Sequence, residues 1–214
     1  MMTCKSQQVR GAHTLMDLTE TSLVKVARHF YPTGYPVTSD EYGKDGLLPY
    51  QRTPEYARYL EAWDKAMTWP EWKTLRLEMR SVFPECGDCT QPRGASCRRC
   101  CVYLSHPLPH GARHLTIIAA AVSVLAPVYL VYCTTAVVVD KQREDRRVFL
   151  EVPEEVKPQA AALSALVERV LGYQPFPLPL ATIRVPRLRV PHLYRDEEPT
   201  LLDALFDTEF DTLF

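Results

Sequence analysis

Leu115 to Val139 is a run of twenty-five residues without a single charged side chain. A run of that length can cross a bilayer as one helix. It can also form two strands buried on both faces, since such strands read as unbroken apolar stretches. Pro127 lies near its middle, and Thr116, Ser123, Thr134 and Thr135 interrupt its apolar character. Valine, isoleucine and tyrosine supply eleven of the remaining twenty residues. These features favour two strands, Leu115–Val124 and Val128–Val139, turning at Leu125-Ala126-Pro127. A membrane-anchored accessory protein is the other reading. The flanks decide little: Arg113 and His114 precede the run, while Asp140, Lys141 and Arg143 follow it.

The segment before this run is helical in pattern. Leu15, Leu18, Leu23, Val26, Ala27 and Phe30 follow helical spacing, and Tyr31-Pro32 closes that helix. Residues 31–52 read as a long loop that packs aromatics. Thr53-Pro54-Glu55 supplies an N-cap, a proline at the first helical position and an acid in the first turn. Tyr56, Tyr59, Leu60, Trp63, Ala66 and Met67 then form one apolar stripe. Thr68-Trp69-Pro70-Glu71 repeats the start signal, and Trp72, Leu75, Met79, Val82 and Phe83 form a second stripe. The two helices are expected to pair as a hairpin.

Beyond the helices, Cys101–Ser105 reads as a short strand, and Val148–Val152 as another after a charged turn, Asp140–Arg147. Pro158–Leu171 is an amphipathic helix with Gly172 as its C-cap. Ile183, Val185, Leu188 and Val190 suggest an edge strand limited by Pro186 and Pro191. A short terminal helix from Pro199 carries Leu201, Leu202, Leu205 and Phe206. The sum is an α+β fold: an antiparallel or mixed sheet with packed helices and an N-terminal helical hairpin. We expect one domain over 1–214, with a mainly helical lobe at 1–84. A Cys-rich loop and connection follow at 85–114, then sheet and helices at 115–214.

Cys86-Gly-Asp-Cys89 and Cys97-Arg-Arg-Cys100 are two C-x-x-C pairs, followed directly by Cys101. Four thiolates in that pattern can close a tetrahedral structural zinc site on Cys86, Cys89, Cys97 and Cys100. Ordinary unliganded thiols are the competing reading, because a strand through Cys100 and Cys101 sends neighbours to opposite faces. A redox or disulfide role is the third, with Arg98 and Arg99 able to lower thiol pKa values. An odd count of seven cysteines and a polar start lead us to expect a reducing, cytoplasmic setting.

A hydrophobic fraction of 46% is enough to build a core, and a net charge of -1 argues against a general polyanion binder. Arg93, Arg98, Arg99 and Arg113 lack the interleaved aromatics of a single-strand platform, so nucleic acid is not the expected partner. There is no phosphate-binding glycine motif, nucleophile elbow or metalloprotease signature, so no enzymatic activity and no catalytic residue is expected. Tyr31, Tyr35, Tyr42 and Tyr50 lie in one long loop and are candidate partner contacts. So are Asp203, Asp207, Glu209 and Asp211 in the tail, where acids alternate with large apolar groups.

Four segments carry a resemblance: Thr53-Pro54-Glu55-Tyr56, Cys97-Arg98-Arg99-Cys100-Cys101-Val102, Ser123 to Tyr132, and Leu201-Leu202-Asp203-Ala204-Leu205-Phe206. In these the chain resembles a group of bacterial proteins of similar length, some regarded as immunity partners of polymorphic toxins. The resemblance implies a cytoplasmic α+β protein that binds a cognate toxin domain and masks it, without catalytic residues. A small zinc-stabilised regulatory or nucleic-acid-associated protein is the alternative that the cysteines support.

Overall fold

The computed structural model describes residues 16–35, 44–193, 197–207 and 210. Helix α1 (Glu20–Phe30) starts at Thr19, whose side chain accepts from the Ser22 amide. Helix α2 (Pro54–Met67) is capped by Thr53, and α3 (Pro70–Val82) begins only two residues after α2 ends. Strand β1 (Cys86–Asp88) and strand β2 (Cys97–Pro107) follow. Strands β3 (Arg113–Ser123), β4 (Val128–Val139) and β5 (Gln142–Phe149) complete a meander. Helix α4 (Lys157–Leu171), strand β6 (Gln174–Pro175) and helix α5 (Leu201–Leu205) finish the chain's regular structure.

The sheet runs in the order β1-β2-β3-β4-β5, antiparallel throughout, and β6 pairs in parallel with the start of β4. The fold is therefore α+β with a mixed sheet. The uncharged run forms β3 and β4, which pair from Arg113 opposite Val138 to Val122 opposite Tyr129. Among the described residues no helix is long and apolar enough to cross a membrane.

Alternation along the strands divides the interior into two cores. Cys97, Cys101, Ile117, Ala119, Ala121, Leu130 and Tyr132 face one way, toward α1, α2, α5 and the segment Ala181–Leu193. Cys100, Val102, Ile118, Ala120, Val122, Tyr129 and Cys133 face the other way, toward α3 and α4. We call these the first and second faces. Alanines at 119, 120 and 121 let helices approach both sides of β3, where larger residues would hold them off.

The hairpin expected for α2 and α3 does not describe their packing. α2 delivers Tyr59, Trp63 and Ala66 to the first core, whereas α3 delivers Trp72, Leu75 and Met79 to the second. Arg98 fastens the elbow between them. It donates to the Ala66 carbonyl at 2.8 Å and lies 4.3 Å from the centre of the Trp72 ring.

Three other expectations change. Within 85–114 the strand expected at Cys101–Ser105 is longer, Cys97–Pro107, and β1 precedes it, so the sheet extends upstream into the expected Cys-rich loop. The charged segment 140–147 is not a turn beyond Asp140 and Lys141, since β5 begins at Gln142. Both turn residues have positive φ, the condition for a tight two-residue hairpin. The edge strand expected at 183–190 is reduced to isolated bridges, Thr33 with Leu188 and Arg184 with Thr200. Pro186 and the left-handed Arg187 prevent a continuous ladder there.

Packing and capping should separate cleanly in unfolding experiments. Leu163→Ala empties a fully buried site of the second core and should cost about 2–5 kcal/mol. Thr53→Ala removes the cap on α2 together with the hydroxyl's bond to the Tyr50 carbonyl, worth about 1 kcal/mol. Urea titration of the two variants measures both, and equal losses would contradict this layering.

Candidate functional site

The cysteine segment is where sequence chemistry concentrates, and strand geometry determines what it can do. Cys86, Cys97, Cys100 and Cys101 lie on β1 and β2, and Cys89 follows β1 directly. Cys97 and Cys100 are three residues apart on one strand, so they point to opposite faces. Cys86 packs with Cys100 in the second core, while Cys89 packs with Cys97 and Cys101 in the first. The four-cysteine arrangement expected from spacing is thus split by the sheet. Among the described residues no group of three or more His, Cys, Asp or Glu side chains is placed to hold a metal ion.

The two arginines between Cys97 and Cys100 are also sent apart. Arg98 joins the second face, where Asp88 receives its guanidinium at 3.3 Å and the Trp72 indole N–H at 2.9 Å. Burial tends to raise the Asp88 pKa. Hydrogen bonds from Thr90 and Trp72, with the Arg98 charge, outweigh it and hold the carboxyl below its usual range. Arg99 points into the first core, 1% exposed, and forms an ion pair with the buried Asp207.

That ion pair corrects the expectation for the tail. Asp207 is an internal counter-ion, not a surface contact. Asp203 is buried too: its carboxylate accepts from the Thr200 amide at 2.8 Å, and its own amide donates to Thr200 at 3.2 Å. This is a capping box at the start of α5. Glu209 and Asp211 lie outside the described residues.

The tyrosines divide similarly. Tyr31 is fully buried, hydrogen-bonded to Ser96 and, at 2.9 Å, to the Ala204 carbonyl. Tyr50 is buried, with the Arg189 guanidinium 4.8 Å from its ring centre. Neither can be a surface anchor. Tyr35 is half-buried at the rim of a polar cleft of about 680 Å³, which Arg28, Glu55 and Arg187 also line. Tyr42 lies outside the described residues.

The margin of the sheet holds a feature that the sequence reading missed. β1 ends its pairing where Cys86 meets Val102, and one further bond runs from the Tyr103 amide to the Glu85 carbonyl at 2.9 Å. β2 continues to Pro107. Backbone groups two residues apart face the same side, so the Ser105 N–H and C=O point outward as those of Tyr103 do. Among the described residues no strand covers that edge. Beside it runs an open groove of about 550 Å³, lined mainly by Val82, Phe83, Pro84, Leu104, Pro158 and Ala162. Val82 is 51% exposed, a large apolar side chain left at the rim. No periodicity marks this site, because it arises from a mismatch in length between β1 and β2.

The opposite margin is built differently. β5 is charged at five consecutive positions, Arg143 to Arg147, and a bulge shifts its register against β4 between Thr135 and Val137. Asp145 adopts a positive φ there, and Arg147 closes onto its carboxylate at 3.0 Å. Charge and a bulge together make a strand edge a poor template for another chain.

Comparison with family models, with curated proteins and with solved structures gives no match.

Two predictions follow from the buried polar groups. Asp207→Ala leaves Arg99 charged inside the first core and should cost about 3–5 kcal/mol. The double variant Arg99→Met/Asp207→Leu should recover most of that loss in thermal unfolding. His192 is buried, with Nε2 3.1 Å from the Asp203 carbonyl, and burial lowers its pKa to about 4. The unfolded chain takes up this proton near pH 6.5 and the folded chain only near pH 4. This contribution to stability is complete above pH 6.5 and falls away between these two values. His192→Gln should flatten that part of the stability–pH curve, read by denaturant titration at each pH.

Proposed function

We propose that this chain is a non-enzymatic protein-binding module that takes an extended segment of a partner along the open edge of β2. The observation that carries the reading is the backbone at Ser105, which no strand among the described residues covers, beside the apolar groove. An added strand gains affinity from main-chain hydrogen bonds and selectivity from alternate side chains set into pockets. The groove lined by Val82, Leu104 and Ala162 suits a segment with alternating apolar residues. The matching partner is a protein with an exposed apolar strand, and the second margin of the sheet is not the docking side.

The specific form we favour is an immunity-type inhibitor that masks a cognate toxin domain. Its support is the resemblance in the four segments quoted above. All four lie in parts of the chain that build the scaffold: the cap of α2, the start of β2, the β3–β4 turn and α5. The groove would therefore be the region free to differ from one partner to another.

The test uses the full chain and the product of the neighbouring reading frame. Co-expression should protect cells from that product, and the two proteins should co-purify. Ser105→Pro deletes one outward N–H at an exposed position, and Ala162→Glu places a charge in the groove. Each should weaken binding at least about tenfold, the loss of roughly 1.4 kcal/mol, while the thermal midpoint moves by no more than a few degrees. Wild-type binding by both variants would remove the β2 edge from the reading. A chain that neither binds nor protects would remove the inhibitor reading itself.

A further inference from the structure

On the first face, Cys89 and Cys101 are diagonal neighbours across the β1–β2 margin. The register puts Gly87 opposite Cys101, and the Cys89 amide donates to the Arg99 carbonyl at 2.9 Å. Both side chains therefore leave the sheet on the same side and pack in the first core. The Tyr103 hydroxyl is 2.9 Å from the Cys89 sulfur. Cys89 is partly exposed, whereas Cys101 behind it is fully buried. An accessible sulfur backed by a second sulfur and a hydroxyl donor is the arrangement that a two-electron thiol couple requires.

We propose that Cys89 and Cys101 form a reversible dithiol–disulfide couple oxidised by small hydroperoxides, with Tyr103 holding the attacking sulfur. The Cys89 thiolate attacks one peroxide oxygen, the O–O bond breaks, and hydroxide leaves and takes up a proton as water. Cys89 is then a sulfenic acid. The Cys101 thiol attacks that sulfur, loses its proton, and expels the hydroxyl as a second water. Two thiols are oxidised to one disulfide and one hydrogen peroxide is reduced to two waters, or one alkyl hydroperoxide to an alcohol and one water. A small dithiol reverses the process by exchange, and its own two sulfurs become the oxidised pair.

Local chemistry favours this order of events. The hydrogen bond from Cys101 lowers the Cys89 pKa to about 7, with help from Tyr103 and against the effect of burial. Cys101 shifts upward through the same hydrogen bond and through its burial, so it stays protonated until it is needed. Closing a bond of about 2.05 Å draws the sulfurs together. β1 can follow, because it is three residues long and sits at the margin of the sheet. Cys86 is also half-buried but packs on the opposite face, and it serves as an internal reference.

The test treats the reduced full chain with one equivalent of hydrogen peroxide and maps the peptides by mass. The expected product is a Cys89–Cys101 link, with two hydrogens lost and full return on adding dithiothreitol. Cys101→Ser should halt the reaction at a Cys89 sulfenic acid that dimedone captures, and Cys89→Ser should leave Cys101 reduced. In the wild-type chain, which needs no refolded variant, iodoacetamide should label Cys89 several-fold faster than Cys86, with half-maximal rate near pH 7. Tyr103→Phe should move that midpoint upward. Linkage of Cys89 to any other cysteine, or oxidation of Cys86 ahead of Cys89, overturns the couple. An unchanged midpoint in Tyr103→Phe overturns the role given to the hydroxyl.

Discussion

Burial of β2, β3 and β4 on both faces is the constraint that the remaining structure answers to. A strand covered on one side needs one layer of helices, whereas these three need two. Cys100 and Cys101, adjacent in sequence, are both fully buried in different cores. The chain meets the requirement by splitting its helices. α1, α2 and α5 serve one face, and α3 and α4 serve the other. The break between α2 and α3, at Thr68-Trp69-Pro70, is what allows consecutive helices to reach opposite sides. Proline starts α3 afresh, and Arg98 ties the end of α2 to the first turn of α3.

Burying both faces of a strand that carries Cys-Arg-Arg-Cys means burying two guanidinium groups. Each receives its own compensation. Arg98 has Asp88, a carbonyl at the end of α2 and the face of Trp72. Arg99 has Asp207, delivered from beyond α5. An unpaired charge in either core would be strongly destabilising, whereas a pair is close to neutral against an apolar replacement. The arginines therefore act less as sources of stability than as selectors of arrangement. Only a fold that brings 207 to 99 and 88 to 98 satisfies both.

Elements whose signals are local could be read from the sequence. Thr53-Pro54-Glu55 marks a helix start whatever surrounds it, and Gly172 ends α4 with a left-handed cap at φ 70°. The uncharged run identified β3 and β4 to within two residues at each end. Elements defined by a distant partner were misread. β5 looks like a turn because its residues are charged on both faces, and only pairing with β4 makes it a strand. The C-x-x-C spacing implies convergence in a loop but divergence in a strand, and the pairing of Cys97 with Ser123 decides between them. Asp203 and Asp207 resemble a solvated acidic tail until Thr200 and Arg99 are placed beside them. The open edge at Ser105 had no local signal at all.

The two margins of the sheet are unequal, and this gives the molecule a direction. A sheet that could accept strands on both sides would be a link in a chain, since each added protein would pass the vacancy onward. Here the bulge at Asp145 and the five charges of β5 close one side. If the β2 edge takes a partner strand as proposed, the closed β5 edge makes the molecule the end of the assembly it joins. Two copies could meet only edge to edge, as a closed pair, and a foreign strand would be held one to one. The charged β5 edge thus bounds the size of any complex formed at the opposite edge.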